Sequence, residues 1–544
     1  MQFITDRQTI DDLGILGKSG NDSIYHIFNK TYTRGGAKML EELFLEPLSS
    51  DAAINARIAV IRYFMENNTV FPFRGNRFEE AERYLADTDP RSRLSNQGFT
   101  MSDYKAIQNG VLALVDMLHQ LRAFLSGIPS ATPYAAEAAE MQQSLAAKEL
   151  EIVWREPAKT KLSHAAVVEC DNTFRFLHRQ QVEQLLLHIY RVDVYISIAQ
   201  AAARHRFVFP KAVSSPVSRL HIRNVYHPLL KNAVPNSLDM DGDGNTVFLT
   251  GANMAGKSTF MKSLGIAVYL AHLGFPVAAE EMEFSVMEGI CTTINLPDNL
   301  GLGASHFYAE VLRVKKVAAL LKAGKRLFVI FDELFRGTNV KDAEEATVAI
   351  MEAFTRQPGS LFVISTHIIE AGETLRQKCP HLLFRYLPTH MRNNVPEYTY
   401  TLENGSTYDR HGMLIINNEG VVDLIRREKQ PKPPRGKFLA DAQTLEDLNL
   451  LGKFKPGSIY NLFNRLQTRG GEKLLEEMFK NPMTDHQLIN ERSRLFAFFQ
   501  QQQFEFPVSR SQFESLENYL SEGECGCRFS SAVSSAGKKL RECG

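Results

Sequence analysis

Residues 250–259 read Thr250-Gly251-Ala252-Asn253-Met254-Ala255-Gly256-Lys257-Ser258-Thr259. From Gly251 to Ser258 they fit the spacing G-x-x-x-x-G-K-[ST]. The run before them, Thr246-Val-Phe-Leu-Thr250, is β-rich, and the run after them has helical apolar spacing. Strand, glycine loop and helix in that order let backbone N–H groups wrap a phosphate chain. Lys257 then offers its ammonium to the β- and γ-phosphates, and Ser258 offers a hydroxyl to Mg²⁺. The positive end of the following helix faces the anion. The bland alternative is a glycine-rich turn with no ligand, and the flanking context weighs against it. ATP with Mg²⁺ is therefore the expected ligand of residues Gly251 to Thr259.

Moving outward, Leu327-Phe-Val-Ile-Phe-Asp332-Glu333 is a buried-strand pattern that ends in two carboxylates. Asp332 is placed to hold the magnesium shell, and Glu333 to orient and deprotonate an attacking water. A third β-rich run, Ser360 to Ser365, ends in Ser365-Thr366-His367. A lone histidine is more often structural. At the end of a strand neighbouring the acidic one, His367 can sense the γ-phosphate. Short β-runs alternating with helical stretches predict an α/β domain with a mainly parallel sheet over residues 217–428. Tyr398 to Ile416 reads as a hairpin around Asn404-Gly405.

Residues 86–210 read as a helical lever region, with Phe174 to Ala203 as one long helix. The front of the chain, 1–85, is also helical. Thr9-Ile10-Asp11-Asp12-Leu13 carries an N-cap residue and first-turn acids, and Ala37 to Phe44 has apolar residues at helical spacing. This front recurs. Phe3 to Leu85 aligns without a gap on Phe438 to Leu520, with roughly 35 of about 83 positions identical. Thr33-Arg34-Gly35-Gly36 returns as Thr468-Arg469-Gly470-Gly471. The shared residues are mostly apolar or turn-forming, so a duplicated packing unit is expected over 437–520, not a duplicated active site. The proline-rich stretch 429–436 between the copies is a linker. Residues 521–544 are expected to be a disordered or truncated tail. Their Cys525-Gly-Cys527 has no second pair at zinc spacing.

Composition narrows the class. The 544 residues carry 62 Lys+Arg and 62 Asp+Glu, which speaks against a polybasic coat protein or an acidic tail protein. Six cysteines are too sparse for a disulfide framework, so a reducing, cytoplasmic setting is expected. Met1 to Asp6 shows no secretory pattern, and the longest apolar stretch, Leu264 to Ala279, is too short to span a bilayer.

Taken together, the motifs resemble the MutS family of DNA mismatch-repair ATPases. The resemblance rests on the phosphate loop with its internal Asn253-Met254, on Asp332-Glu-Leu-Phe-Arg-Gly-Thr338, on Ser365-Thr-His367 and on Tyr226-His227-Pro228. It extends to Gly303-Ala-Ser305-His-Phe-Tyr-Ala-Glu310, similar to the family's signature segment. It implies a helical core and lever followed by an ABC-type P-loop ATPase, within which Asn253 distinguishes the loop. It also implies a homodimer in which Ser305 reaches the neighbour's nucleotide, with DNA as partner. Departures accompany the match. The family's N-terminal Phe-x-Glu mismatch wedge has no counterpart domain, and the tripeptide occurs three times in helical segments, at Phe44, Phe64 and Phe78. Region 86–210 is short for levers plus a full DNA clamp. His306 and Phe335 stand where the family often has a hydroxyl and a small residue, and no Smr-type nuclease domain follows. Two functions stay open: an ATPase that binds distorted or branched DNA in mismatch repair or recombination, and an ATP-gated interaction protein or partner subunit without direct DNA binding.

Overall fold

The structure, a computed structural model, describes residues 3–17, 23–73, 75–87, 89, 101–155, 162–294, 306–335, 337–392, 395–407, 416–426, 438–452, 457–466, 468–502 and 509–521. Contacts divide the chain into two units, Met1–Val421 and Val422–Gly544. The linker 429–436, all three tail cysteines, Ser305 and Arg336 lie outside the described residues.

The first unit opens with α1 (Arg7–Asp12), α2 (Ile24–Phe28), α3 (Arg34–Leu45), α4 (Asp51–Glu66) and α5 (Gly75–Ala86). Two of these begin earlier than the sequence suggests. Asp6, not Thr9, caps α1, its carboxylate accepting the Thr9 N–H at 3.0 Å. Likewise α3 starts at Arg34 because the Thr33 hydroxyl accepts the Gly36 N–H at 2.9 Å. Helices α6 (Met101–Ser126), α7 (Ala135–Leu145), α8 (Glu151–Arg155), α9 (His164–Asn172) and α10 (Arg179–His205) follow.

The single long helix expected from Phe174 is broken. A π-helical turn, Thr173–Leu177, precedes α10, and His178 between them leaves helical geometry at φ −125° and ψ 28°. The cause is local and polar. Arg175 is fully buried, donating to Asp171 through Nε at 2.6 Å and Nη2 at 3.0 Å, while the Tyr84 hydroxyl donates to the same carboxylate at 2.8 Å. Holding a buried guanidinium on a carboxylate four residues earlier coincides with the widened turn.

Helix α10 is buried along most of its length, and the first repeat wraps it. The Thr33–Gly36 turn lies so close that a Cβ on Gly35 would meet the Tyr190 ring at 2.4 Å. Asp193 accepts the Thr33 hydroxyl at 2.7 Å and its N–H at 2.8 Å. Ser197 donates to the Phe28 carbonyl at 2.6 Å and accepts the Lys30 N–H at 2.7 Å. The rings of Phe44, Phe64 and Phe78 are all in the core, which leaves none of the three Phe-x-Glu tripeptides offering an exposed wedge.

Two sheets come next. A four-stranded sheet runs β1-β5-β2-β3, from β1 (Lys211–Val213), β2 (Leu220–Val225), β3 (Asn236–Met240) and β5 (Glu281–Ser285). Strands β4 (Thr246–Gly251), β6 (Gly289–Thr293), β7 (Leu327–Phe331), β8 (Leu361–Ser365), β9 (Leu383–Leu387) and β12 (Glu403–Asn404) form a second sheet in the order β12-β9-β4-β8-β7-β6. All its pairings are parallel except β12 on β9. The crossovers carry α11 (Lys257–His272), α12 (His306–Lys322), α13 (Val340–Thr355) and α14 (Ile369–Lys378). Four of these strands are buried at nearly every position, as sheets covered on both faces require. Most of the second limb of the hairpin expected from Tyr398 to Ile416 around Asn404-Gly405, residues 408–415, lies outside the described residues. β10 (Thr389–Arg392) pairs with β11 (Val395–Tyr398), whereas Glu403 and Asn404 return to Tyr386 and Arg385 of β9. The Asn-Gly pair therefore ends an edge strand.

A continuous apolar core joins the first repeat to the sheet domain. Phe28 and Phe44 pack on Phe275 at 5.6 and 5.4 Å between ring centres, and Tyr269 donates to the Phe44 carbonyl at 2.6 Å.

The second unit has helices at Val421–Arg426, Ala442–Asp447, Ile459–Phe463, Arg469–Lys480, His486–Gln502 and Arg510–Ser521. It reproduces the internal contacts of the first repeat. Asp441 caps through the Thr444 N–H at 2.7 Å, as Asp6 does through Thr9. Tyr460 donates to the Glu472 carbonyl at 3.2 Å where Tyr25 donates to Ala37 at 3.1 Å. Arg469 pairs with Glu514 where Arg34 pairs with Glu79.

Candidate nucleotide site

Strand β4 lies inside the sheet between β9 and β8. After it the chain runs to the far edge at β6, returns through β7 and β8, and crosses to β9. The carboxyl end of β4 therefore opens on the crevice where such sheets hold ligands. Gly251 ends the strand, and Lys257 begins α11. Gly256 has φ +99°, and a Cβ there would meet the Tyr400 ring at 3.1 Å, so this position calls for glycine. Met254 holds φ +67° with its side chain exposed, and Asn253, Ser258 and Thr259 are exposed as well. Ala255 is buried beneath the loop, and Gly251 and Ala252 are half-buried.

Lys257 is buried, and its Nζ donates to the carbonyls of Gly251 at 2.8 Å and Ala252 at 3.1 Å. Burial lowers its pKa, while the charges of Glu333 and Asp332 raise it. Both carboxylates thus act on the ammonium.

The acids follow β7 directly. Asp332 donates its N–H to the Thr293 carbonyl of neighbouring β6 at 2.9 Å. Ser365, at the end of β8, ties the pair together: its hydroxyl donates to Asp332 Oδ1 at 2.5 Å and accepts the Glu333 N–H at 2.9 Å. Glu333 and Phe335 hold positive φ, +56° and +62°. That backbone turns the Glu333 carboxylate to His367, whose Nε2 lies 2.6 Å from Oε1. The buried Phe335 ring packs on Phe307 in the first turn of α12, at 5.7 Å. The acidic turn and the helix following the Ser305 segment are therefore in aromatic contact.

Beside the loop is a pocket of about 280 Å³, lined among others by His227, Val234, Asn236, Phe260 and Tyr400. Asn236 fixes its far wall, donating to the Tyr400 carbonyl at 2.9 Å and accepting the Leu402 N–H at 2.6 Å. Burial and the charge of Lys262 hold the His227 imidazole below its ordinary pKa.

The structure thus brings Lys257, Asp332, Glu333 and His367 into one electrostatic neighbourhood. Ser258 faces solvent one residue into α11, and Ser305 lies outside the described residues. Sequence reading assigned no part to Ser365, Asn236, Tyr400 or the Phe335–Phe307 contact. Only Ser365 carried a signal, a polar residue closing an apolar strand beside the acidic one. No group of three or more His, Cys, Asp or Glu side chains that could cage a metal occurs among the described residues. Among the described residues no helix is long and apolar enough to cross a membrane.

Helical wrapping around a long core helix, followed by a parallel sheet with a glycine loop at its switch point, defines a mixed α/β protein with a candidate nucleotide-binding head. A family model of MutS domain III matches residues 8–295, and one of MutS domain V matches residues 247–430. The chain belongs to the MutS family. It is similar to the DNA mismatch repair protein MutS of Streptococcus agalactiae, 28% identical over 255 residues, covering 46% of this chain and 29% of that protein. The MutS of Lysinibacillus sphaericus is 28% identical over 280 residues, 50% of this chain and 32% of that one. For Leuconostoc citreum the figures are 34% over 196 residues, 35% and 22%. The chain thus spans about a third or less of the length of these relatives. Both matched stretches end by residue 430, before the second repeat.

Proposed function

We propose that residues 217–428 form an ABC-type ATPase head that hydrolyses ATP, with residues 1–85 and 86–210 as the core and lever through which hydrolysis acts on DNA. The observation that carries this is the polar chain at the ends of β7 and β8. Ser365 holds Asp332 and the Glu333 backbone, and His367 holds the Glu333 carboxylate, next to the lysine of a glycine loop.

The chemistry follows from these groups. Lys257 exchanges its two carbonyl partners for phosphate oxygens, and the loop N–H groups from Ala252 to Thr259 complete the cradle. The adenine base enters the pocket beside Tyr400 and His227. When bound, magnesium would supply charge neutralisation at the phosphates, and Ser258 and Asp332 are the groups that would hold it. Glu333 accepts the proton of a water aligned with the γ-phosphorus. His367 orients that carboxylate, and Lys257 stabilises charge on the departing oxygens. Ser305 of a second copy caps the nucleotide, so turnover is tied to a homodimer closing and opening. DNA is the partner: the relatives' name, DNA mismatch repair protein, points to mismatched DNA, and distorted or branched DNA is the wider class we infer, in the cytoplasm.

Lys257→Ala should abolish ATP binding. Glu333→Gln should bind ATP but release phosphate roughly 10²-fold more slowly or worse. Filter binding and phosphate release separate the two, and normal turnover by Glu333→Gln sinks the assignment of the base. For DNA, binding to perfect duplex, single-mismatch duplex and four-way junction is compared with and without ATP–Mg²⁺. A steep salt dependence with ATP-altered junction or mismatch preference supports the reading. The absence of binding to all three at low salt favours the second reading, an ATP-gated interaction protein, for which the exposed apolar helices of the second unit speak.

A further inference from the structure

The acidic turn Asp332–Phe335 is held from three sides. On the β8 side, Ser365 accepts the Glu333 N–H through its hydroxyl and the Leu334 N–H through its carbonyl, the latter at 3.2 Å. On the β6 side, the Asp332 N–H rests on the Thr293 carbonyl. On the α12 side, the Phe335 ring rests on Phe307. β6 and α12 are separate elements, and the Arg313 guanidinium spans them.

Arg313 lies on α12, six residues after Phe307. Its Nε donates to the Thr293 hydroxyl at 3.3 Å, and its Nη2 donates to the Thr292 carbonyl at 2.8 Å. Thr292 and Thr293 close β6, and both are buried. The same guanidinium pairs with Asp6 and reaches the Thr9 hydroxyl at 3.3 Å, and that hydroxyl accepts the Thr292 N–H at 3.1 Å. The contacts form a closed circuit: acidic turn, Thr293, Arg313, α12, Phe307, and the acidic turn again. Burial works against the charge of Arg313, and its hydrogen bonds to Asp6 outweigh it. A guanidinium fork fixes several acceptors relative to one another, which an ammonium on a flexible stem does not. The circuit leaves out the glycine loop, where Lys257 is held by the loop's own carbonyls.

We propose that Arg313 is a positioning residue for the hydrolytic step. It locks β6 to α12 and thereby fixes the turn that carries Asp332 and Glu333, with Asp6 of the first repeat setting the guanidinium. The inference rests on the ATPase reading of residues 217–428. Misplacing a reacting group by about 1 Å costs on the order of 10²-fold in rate, so a partly loosened turn lowers turnover while the glycine loop still binds nucleotide.

The test measures phosphate release and ATP binding by the full chain, with urea unfolding followed through Trp154 for each variant. Arg313→Lys keeps a cation on Asp6 and loses the fork on β6. Thr293→Val removes the Nε acceptor and keeps the carbonyl under Asp332. kcat should fall about ten-fold in Arg313→Lys and severalfold in Thr293→Val, while KM and the affinity for ATP stay within about two-fold. The double variant should fall no further than Arg313→Lys, because both changes cut one link. Where Arg313→Lys does not fold, Thr293→Val decides alone by the same split between kcat and KM. Unchanged kcat overturns the proposal. So does a loss of turnover and binding capacity in one proportion that tracks the urea midpoint, as a merely structural ion pair would give, and so do losses that multiply in the double variant. An unaltered chain that releases no phosphate overturns the ATPase reading and this inference together, whereas an active parent with unaffected variants overturns this inference alone.

Discussion

The first and second repeats show one sequence pattern in two settings. About four in ten of their aligned positions are identical. Caps, turn contacts and the aromatic spacing are the same in both. The first copy is nonetheless a wedge of core between α10 and the sheet, while the second leaves its apolar face exposed. Local contacts are specified by the repeat itself, and burial is specified by what the rest of the chain brings to it. Most helix stability in proteins comes from such tertiary packing.

The strongest way to break this comparison is to remove the same ring twice. Phe28→Ala empties a fully buried site between Phe44, Phe207 and Phe275 and should cost about 3–5 kcal/mol. Phe463→Ala removes an exposed ring and should change stability by no more than about 0.5 kcal/mol. The single tryptophan, Trp154, lies in the first unit and reports its urea transition by fluorescence. Equal losses in the two variants would mean that the second repeat is covered as the first is.

A pH scan sharpens the comparison where the first repeat meets the sheet domain. His272, at the end of α11, is fully buried against Phe3. Its Nδ1 donates to the Val268 carbonyl at 2.7 Å, and its Nε2 accepts the Met287 N–H at 3.0 Å, so the ring is neutral. Burial lowers its pKa to about 4. A histidine depressed in the folded state binds its proton more readily when unfolded. Its contribution is present above the unfolded value, near 6.5, and is lost as pH falls toward 4. The expected loss is on the order of 3 kcal/mol over that window. Urea midpoints between pH 7 and pH 4 should fall accordingly, and less so in His272→Gln. The corresponding face of the second repeat has no such buried histidine among the described residues.

Legibility in the sequence followed the same division. The strands β4, β7 and β8 and the acids after β7 were readable, because five-residue apolar runs closed by polar residues are local signals. The role of Ser365 was not, since it depends on β7 and β8 being neighbours in register. Tyr400 and Asn236 meet across 164 positions, beyond any periodicity. The π turn before α10 depends on Tyr84, 87 residues before Asp171. The pairing of Glu403 and Asn404 with Tyr386 and Arg385 of β9 was not legible either, since nothing local to Asn404-Gly405 names a partner so far back in the chain. Exposure of the second repeat was invisible for the plainest reason: its residues are those of a buried unit.

The smallest expected effect concerns the acidic caps. Asp6 does more than cap α1. Arg313 of α12 pairs with it through Nη1 and, at 3.0 Å, through Nη2, and Lys316 reaches it at 2.7 Å. Burial works to raise the Asp6 pKa, but those hydrogen bonds and the Arg313 charge pull it well below the ordinary carboxylate range. Asp12 extends the clasp, accepting from the Thr292 hydroxyl at 2.8 Å and the Ile294 N–H at 2.9 Å. Because α12 follows the Ser305 segment, this clasp also joins the first repeat to the proposed dimer contact. A carboxylate depressed in the folded state contributes stability that is full above its unfolded pKa, near 4, and is lost as pH falls through the folded value. Asp6→Asn should therefore cost about 2 kcal/mol at pH 7 and progressively less as the medium is acidified below pH 4. The matching residue Asp441 is also depressed, by its hydrogen bonds to Thr444, yet it is exposed and caps without a clasp. Asp441→Asn should leave the Trp154 transition unmoved at every pH. If it instead reproduced the acid response of Asp6→Asn, the second repeat would already be clasped by an arginine-bearing helix, and the contrast between the two copies would vanish.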